Sequence, residues 1–172
     1  MGQEVKKRIL KLFFEQPNKE YHIREIAKIT KIPKTTVARY VKLLLKEGLV
    51  KKEKRVFYSY MANETSFFYK FYKKIYLLEE IYKSGLVDYL EKRLYPKSII
   101  LFGSGAKGEY VKDSDLDIFV QSKEQELDLT EFERKLGHKI NLFFEEKFEK
   151  LSSELFNNII NGIKLSGYIK LR

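Results

Sequence analysis

Residues 103–117 contain a Gly-Ser pair, ten intervening residues and an Asp-x-Asp motif, which together suit chemistry on phosphate groups. Gly103 and Gly105 have no Cβ atom, so the backbone of this turn can approach a bulky anion closely. Ser104 adds a hydroxyl donor, and Lys107 adds a mobile positive charge. If a short helix begins here, its free N–H groups also point at the anion. The pattern predicts a nucleotide-binding turn formed by these four residues.

The acidic end of the motif predicts a metal site. On a strand, Asp115 and Asp117 project to one face, while Leu116 and Ile118 project to the other. Magnesium ions prefer one or two carboxylates together with phosphate oxygens, and paired ions can clamp the attacking and leaving oxygens of a transfer reaction. The two aspartates are therefore predicted as metal-binding and catalytic residues, with Mg²⁺ as cofactor and ATP or another nucleoside triphosphate as substrate or ligand. The alternative is an acidic surface strand after a Gly-rich turn.

Apolar runs predict the elements that position these residues. A strand is expected at 98–102, a second at 116–120 and a third at 139–144. Helices are expected at 127–136, with Thr130 as a cap, and at 148–160, followed by a short strand within 162–171.

The segments Leu101-Phe102-Gly103-Ser104 and Asp115-Leu116-Asp117 resemble the signature of the polymerase-β-like nucleotidyltransferases, specifically the minimal nucleotidyltransferases of prokaryotes. The resemblance runs from about residue 97 to the C-terminus. It implies a small mixed sheet flanked by helices and transfer of a nucleoside monophosphate to an acceptor. It also implies that the Gly-Ser pair holds the triphosphate and that the two aspartates bind metal.

The sequence departs from this family at the catalytic site. Gly105 and Lys107 stand where family members often carry arginine. The third carboxylate of the family corresponds to Asn141, which implies a neutral metal ligand and no base. Glu145 and Glu146 follow, past the end of the expected strand. The resemblance thus implies triphosphate binding and leaves catalysis open.

The charge distribution points to a polyanion at one end of the chain. The net charge is +10, and residues 1–62 contain 16 Lys and Arg against 6 Asp and Glu, so the rest of the chain is balanced. The chain has no cysteine and no apolar run long enough to span a membrane, and its N-terminus lacks the apolar core of a signal peptide. A cytoplasmic protein without membrane contact is expected.

The basic segment has the pattern of a winged helix-turn-helix domain. Apolar spacing predicts helices at 3–15, 23–29 and 34–47, and residues 49–60 alternate like a two-stranded ribbon with a charged tip. Residues 1–62 thereby resemble winged helix-turn-helix DNA-binding domains, which implies that the third helix enters the major groove of double-stranded DNA. The alternatives are a solvated helical bundle or a protein-interaction module.

The predicted DNA contacts are polar side chains on the outer face of the third helix and on the wing. They are Lys34, Thr35, Thr36, Arg39, Lys42, Lys52, Lys54 and Arg55. Most of these side chains suit phosphate, so DNA affinity is expected to fall steeply with salt.

Residues 65–95 are rich in Tyr and Phe and predict a helix that is broken at Ser84-Gly85 and followed by a second helix. Because the first helix is apolar around much of its circumference, it is expected to be buried on more than one side, between domains or in a homodimer. The predicted fold class is α+β. It comprises a winged-helix domain at 1–62, a helical connector at 63–95 and a nucleotidyltransferase-like mixed sheet flanked by helices at 96–172.

Three functions fit these patterns. The first is a DNA-binding enzyme that transfers a nucleotide to an acceptor. The second is a transcriptional regulator whose nucleotidyltransferase fold is impaired by Asn141 and serves as a nucleotide sensor or dimerisation scaffold. The third is an antitoxin-like partner of a small helical protein.

Overall fold

The computed structural model describes residues 2–54 and 57–170. The chain forms two compact units, residues 1–73 and 74–172, and the division falls inside one helix. The predicted α+β class is confirmed: a helix-turn-helix region and a two-stranded wing precede a mixed sheet flanked by helices. The three-segment division at residues 62 and 95 stays a prediction. No helix in the described ranges combines the length and apolar character needed to cross a membrane.

The first unit contains three helices, a hairpin and the start of a long fourth helix. The elements are α1 (Gly2–Glu15), α2 (Ile23–Thr30), α3 (Lys34–Lys46), β1 (Val50–Lys54), β2 (Tyr58–Ala62) and the first residues of α4 (Phe67–Ser84). The two strands pair antiparallel. Between α2 and α3 the chain turns through Lys31, whose φ is 53°, and Pro33 then precedes α3. A residue with left-handed backbone ends α2 sharply, and this creates the turn of the helix-turn-helix.

The core of the first unit lies where the apolar faces of its helices meet. Ile9, Phe13 and Val37 are completely buried. Tyr21 and Tyr69 are also buried, and their hydroxyls donate hydrogen bonds to the Gln16 side chain and to the Phe13 carbonyl. Burial raises the pKa of Tyr21 to about 12 and raises the pKa of Tyr69 above its usual range, because the phenolate form loses hydration.

The second unit is built on a four-stranded sheet. Its elements are the rest of α4, α5 (Leu86–Leu94), β3 (Ser98–Phe102), α6 (Gly103–Lys107), β4 (Leu116–Val120), α7 (Thr130–Leu136), β5 (Ile140–Phe144), a 3₁₀ helix (Phe148–Lys150), α8 (Ser153–Ile160) and β6 (Ile163–Gly167). The strand order is β5-β4-β3-β6. Strand β4 is parallel to β5, and β3 is antiparallel to β4 and β6.

Both faces of the central strand β3 are covered by other elements, so all five of its residues are buried. Ile99 and Leu101 pack with α4 and α5 in one core cluster. Ile100 and Phe102 project to the opposite face and pack with Phe119, the 3₁₀ helix and α8. The residues that the sequence predicts for a nucleotide site lie at one end of this strand.

Two of the predicted helices begin later than expected. The segment 148–160 is divided, because Ser152 caps α8 by accepting a hydrogen bond from the Leu155 amide at 3.2 Å. The prediction that Thr130 caps α7 is wrong: Thr130 is the first residue of the helix, Leu129 is at the cap position, and Asp128 accepts a hydrogen bond from the Thr130 amide. The spacing of apolar residues does not predict these two helix starts. Each depends on a polar side chain that accepts a hydrogen bond from a backbone amide.

Candidate nucleotide site and DNA-binding surface

The Gly-Ser turn follows the buried strand β3 directly and contacts β4. Gly103 begins α6 with a φ of +67°, a conformation that suits glycine. A Cβ atom on Gly103 would lie 2.6 Å from Oδ2 of Asp117, so a side chain there would displace the carboxylate. Both the backbone conformation and this contact therefore favour glycine at this position. They also show that the turn and the Asp117 carboxylate meet at the same end of the sheet.

The two aspartates of the motif converge. Asp117 is the second residue of β4, half-buried, and pairs in register with Phe102 at the end of β3. Asp115 lies just before β4 begins and is exposed. Although Asp115 is outside the strand, both carboxylates reach the same side chain, that of Asn141. The two carboxylates therefore lie on the same side of the sheet edge, beside Asn141.

Asn141 occupies the position that the sequence singled out. It is the second residue of β5 and lies opposite Asp117 in the parallel pair. Its amide nitrogen donates hydrogen bonds to Oδ2 of Asp115 at 3.3 Å and to Oδ1 of Asp117 at 3.2 Å. A neutral NH₂ group therefore bridges the two carboxylates where a third carboxylate would repel them. No group of three or more metal-ligating acidic or histidine side chains occurs in residues 2–54 and 57–170.

Glu145 and Glu146 do not take the place of the third carboxylate. Both follow the end of β5, and about 13 Å of strand separates Asn141 from Glu145. The Glu145 side chain accepts a hydrogen bond from the Lys147 amide and lies 3.8 Å from the Lys150 ammonium. The carbonyl of Glu146 accepts from the side chain of Gln121.

The other residues of the turn have different surroundings. Ser104 is half-buried, Gly105 is buried and Lys107 is exposed. A Cβ atom on Gly105 would lie 3.2 Å from Leu77 and 3.3 Å from Leu101, so a side chain there would enter the apolar layer under α4. Gly105 thus allows close packing and offers only its backbone to a ligand. Lys107 forms no ion pair with any side chain that the structure describes.

His138 supports the loop that carries Asp115, a role that the sequence did not reveal. Its side chain is only 8% exposed and lies edge-on to the Tyr110 ring. Its Nδ1 lies 2.8 Å from the Ser114 carbonyl, to which it donates a hydrogen bond. Ser114 also accepts a hydrogen bond from the Val111 amide. An isolated histidine carries no sequence signal for this role, because its partner is a backbone carbonyl 24 residues away.

The predicted DNA contacts on α3 share its outer face. Lys34, Thr35, Arg39 and Lys42 are exposed and Thr36 is half-buried, opposite the buried face formed by Val37, Val41 and Leu44. On the wing, Lys52 and Lys54 are exposed, and the Lys52 ammonium lies 3.4 Å from the centroid of the Tyr58 ring. Arg55 lies outside the described residues.

Glutamates of the first unit form ion pairs with lysines other than the predicted DNA contacts, so this surface keeps its positive charge. Glu47 pairs with Lys6 at 2.6 Å, and Glu25 pairs with Lys19 at 2.9 Å. Lys34, Arg39, Lys42 and Lys54, in contrast, pair with no described acidic group. A helix face that carries several unneutralised cations has the electrostatic character of a phosphate-binding surface.

Models of known families match two separate segments of the chain. A family model described as "Nucleotidyltransferase domain" matches residues 83–165. A second, described as "Bacterial regulatory protein, arsR family", matches residues 3–52. The two matches confirm the predicted fusion of a helix-turn-helix domain with a nucleotidyltransferase domain. Neither a curated protein nor a solved structure gave a match.

Proposed function

We propose that this protein is a DNA-binding transcriptional regulator whose nucleotidyltransferase domain binds a magnesium–nucleoside triphosphate as a signal and has lost efficient nucleotidyl transfer. The observation that carries this proposal is the amide of Asn141, which bridges Asp115 and Asp117. It supports a site with two carboxylates and a neutral third group, which suits binding better than catalysis.

The residues present fit one magnesium ion. Two converging carboxylates and the phosphate oxygens of a nucleotide are the ligands that Mg²⁺ prefers. The Asn141 side chain has an amide oxygen as well as an NH₂ group. The NH₂ group donates to the carboxylates when no metal is bound, and the oxygen could act as a metal ligand when magnesium is bound. Ser104, the backbone at Gly103 and the Lys107 ammonium would hold the phosphates. A bound magnesium ion would neutralise phosphate charge and orient the triphosphate.

Transfer should be slow because no third carboxylate lies at the site. An acceptor hydroxyl must lose its proton as it attacks, and a positioned base contributes about 10²- to 10⁴-fold to the rate of such steps. Asn141 cannot accept that proton. With one carboxylate fewer, a second metal ion also has a weaker site.

A second candidate function is nucleotidyl transfer to an unidentified hydroxyl acceptor. The convergence of Asp115, Asp117 and Gly103 at one end of the sheet favours it. The two functions differ in turnover: a sensor releases the triphosphate unchanged, whereas a transferase releases pyrophosphate. Incubation with each of the four triphosphates labelled in the α-phosphate distinguishes them.

The exposed part of α4 favours a homodimer. Phe67 and Phe68 are 77% and 59% exposed, and Phe71, Tyr72 and Ile75 are also exposed. Aromatic side chains grouped in this way on a soluble protein mark interaction sites. Two copies would bring together two α3 helices, which suits an operator with two half-sites. The proposed dimer contact is therefore this stripe within residues 65–95.

The first test is a calorimetric titration of Mg-ATP, and of the other three triphosphates, into the wild type and into the Asp115→Ala/Asp117→Ala variant. We expect the wild type to bind at least one triphosphate and the double variant to bind none. Asp113→Ala is the matched control, because Asp113 is an exposed acid on the same loop with no contact to Asn141. Failure of the wild type to bind any triphosphate would refute the proposal.

A second arm tests regulation. Duplex fragments from the gene's own upstream region are titrated with protein, with and without saturating Mg-nucleotide. We expect DNA affinity to change when the nucleotide is bound, and we expect the double aspartate variant to lose that change. Equal affinity under both conditions would contradict the signalling role while leaving nucleotide binding intact.

A further inference from the structure

A second concave site lies in the second unit at the end of the sheet remote from the Gly-Ser turn. The cleft has a volume of about 1080 Å³, and its lining includes Lys97, just before β3, and Gln121, just after β4. Asp117 is near the opposite end of β4, about 13 Å of strand away. The cleft is therefore separate from the candidate triphosphate site. Its volume is slightly above the range of about 300 to 1,000 Å³ that is typical of small-molecule sites.

Three aromatic residues, Phe148, Phe156 and Tyr168, line the cleft. Phe148 is buried, stacks on Phe119 in the core and contacts the ring of Phe156 at a centroid distance of 5.8 Å. Tyr168 lines the same space and is 62% exposed, although its backbone amide is fixed by a hydrogen bond to the Lys97 carbonyl. The cleft thus offers aromatic rings of a kind that planar ligands stack on.

Three lysines also line the cleft. Lys97, Lys147 and Lys170 all contribute, and none of them forms an ion pair with a side chain in the described ranges. Glu146 and Glu149 also contribute, so lysines outnumber carboxylates in the lining. Lysines without an acidic partner favour an anion, and carboxylates favour hydroxyl or amino groups on the same ligand.

We propose that this cleft binds a ligand of the mononucleotide class. The base would stack on Tyr168 and Phe156, and the phosphate would be held by the lysines. The Asn157 amide, which also lines the cleft, has both donors and acceptors for a base edge. Because the cleft is remote from Asp117, its ligand is an effector and not the acceptor of a nucleotidyl group. This inference does not depend on the function proposed for the Gly-Ser turn.

The test uses the full-length protein labelled with ¹⁵N and titrated with adenosine 5′-monophosphate in the absence of Mg²⁺. Amide resonances of residues 147, 157 and 168 are expected to shift in a saturable way. Adenosine supplies the ring without the anion, and inorganic phosphate supplies the anion without the ring. Each is expected to bind at least tenfold more weakly than the nucleotide.

Variants locate the site. Tyr168→Ala is expected to weaken binding about tenfold, in line with the contribution of base–aromatic stacking, and Tyr168→Phe should retain it. Lys147→Gln is expected to weaken binding severalfold. Two controls should leave it unchanged: Lys92→Gln, which removes an exposed charge on α5, and Asp117→Asn, at the triphosphate site. The amide spectrum of each variant verifies that it is folded.

Either of two results would overturn the proposal. One is the absence of saturable shifts at the cleft up to millimolar nucleotide. The other is binding that Asp117→Asn weakens and Tyr168→Ala does not, which would place the nucleotide at the Gly-Ser turn. If the wild type does not bind Mg-ATP but the nucleotide still binds at the cleft, the proposed function is refuted and this inference stands. Failure of the one proposal is therefore distinguishable from failure of the other.

Discussion

Replacing Asn141 with aspartate is the most direct perturbation of the candidate nucleotide site. The amide donates to Asp115 at 3.3 Å and to Asp117 at 3.2 Å, and the variant exchanges this donor for a third negative charge. At these separations two unit charges in a high-dielectric, exposed site repel by about 1.3 kcal/mol. Two such pairs destabilise the metal-free protein by up to about 2.5 kcal/mol, and side-chain rotation away from the site reduces that figure.

Magnesium should reverse this effect. The repulsion that destabilises the metal-free variant becomes attraction for a divalent cation, so Asn141→Asp is expected to bind Mg²⁺ more tightly than the wild type. The variant should unfold at a lower temperature without metal and recover most of that loss with Mg²⁺. Because the introduced carboxyl has like charges beside it, its pKa should be raised. Its destabilising effect is therefore present at neutral pH and lost as pH falls through that pKa.

The assay has three readings: thermal unfolding with and without Mg²⁺, metal titration, and release of pyrophosphate from a bound triphosphate. We expect the third to increase at least tenfold, since a third carboxylate restores a possible base and a metal ligand. Asn141→Ala separates loss of the amide from gain of the charge. Asn158→Asp, on the exposed side of α8, controls for a general effect of added charge.

The reasoning fails if Mg²⁺ does not stabilise Asn141→Asp more than it stabilises the wild type. That result would mean that the three side chains do not share a metal. Tighter Mg²⁺ binding without any gain in turnover would instead show that the missing carboxylate is not the sole catalytic defect.

Three further predictions concern single substitutions at Gly103, Arg39 and Phe71. Gly103→Ala should abolish Mg-ATP binding in calorimetry, because its Cβ atom meets the Asp117 carboxylate at 2.6 Å; Gly137→Ala, at a similar φ of +75° but in open space, should bind normally. Arg39→Ala should weaken duplex binding about tenfold and reduce the salt slope by about 1, whereas Lys11→Ala, on α1 and paired within its own helix, should not. Phe71→Glu should convert a dimer into a monomer in light scattering, because it buries a charge in the proposed contact.

Each of these has a result that would contradict it. If Gly103→Ala and Gly137→Ala lost nucleotide binding equally, the cause would be backbone strain and not the contact with the Asp117 carboxylate. Unchanged binding by the arginine variant would remove α3 from the DNA interface. A wild-type protein that is monomeric at all concentrations would remove the basis for the aromatic stripe as a dimer contact.

Local signals were sufficient for most of the elements and for the fold class. Four of the five residues 98–102 are apolar and predicted a strand before Gly103, and Gly85 and Pro33 marked a helix break and a helix start. The two aspartates, two residues apart at the start of an apolar strand, were expected to share a face. Helix ends and strand faces depend on residues that are close in sequence, so the spacing of apolar residues predicts them.

The tertiary structure decided which distant residues meet. The parallel register of β4 and β5 brings the Asn141 amide between two carboxylates more than 20 residues away in sequence. Likewise, His138 fixes the Asp115 loop through a backbone carbonyl, and the remote cleft joins residues from before β3 to after β6. Sequence spacing does not encode these contacts, because each depends on the strand order and packing of the folded sheet. The sequence by itself determined the elements and the residue types of the site; only the fold decided that a neutral amide bridges the carboxylates.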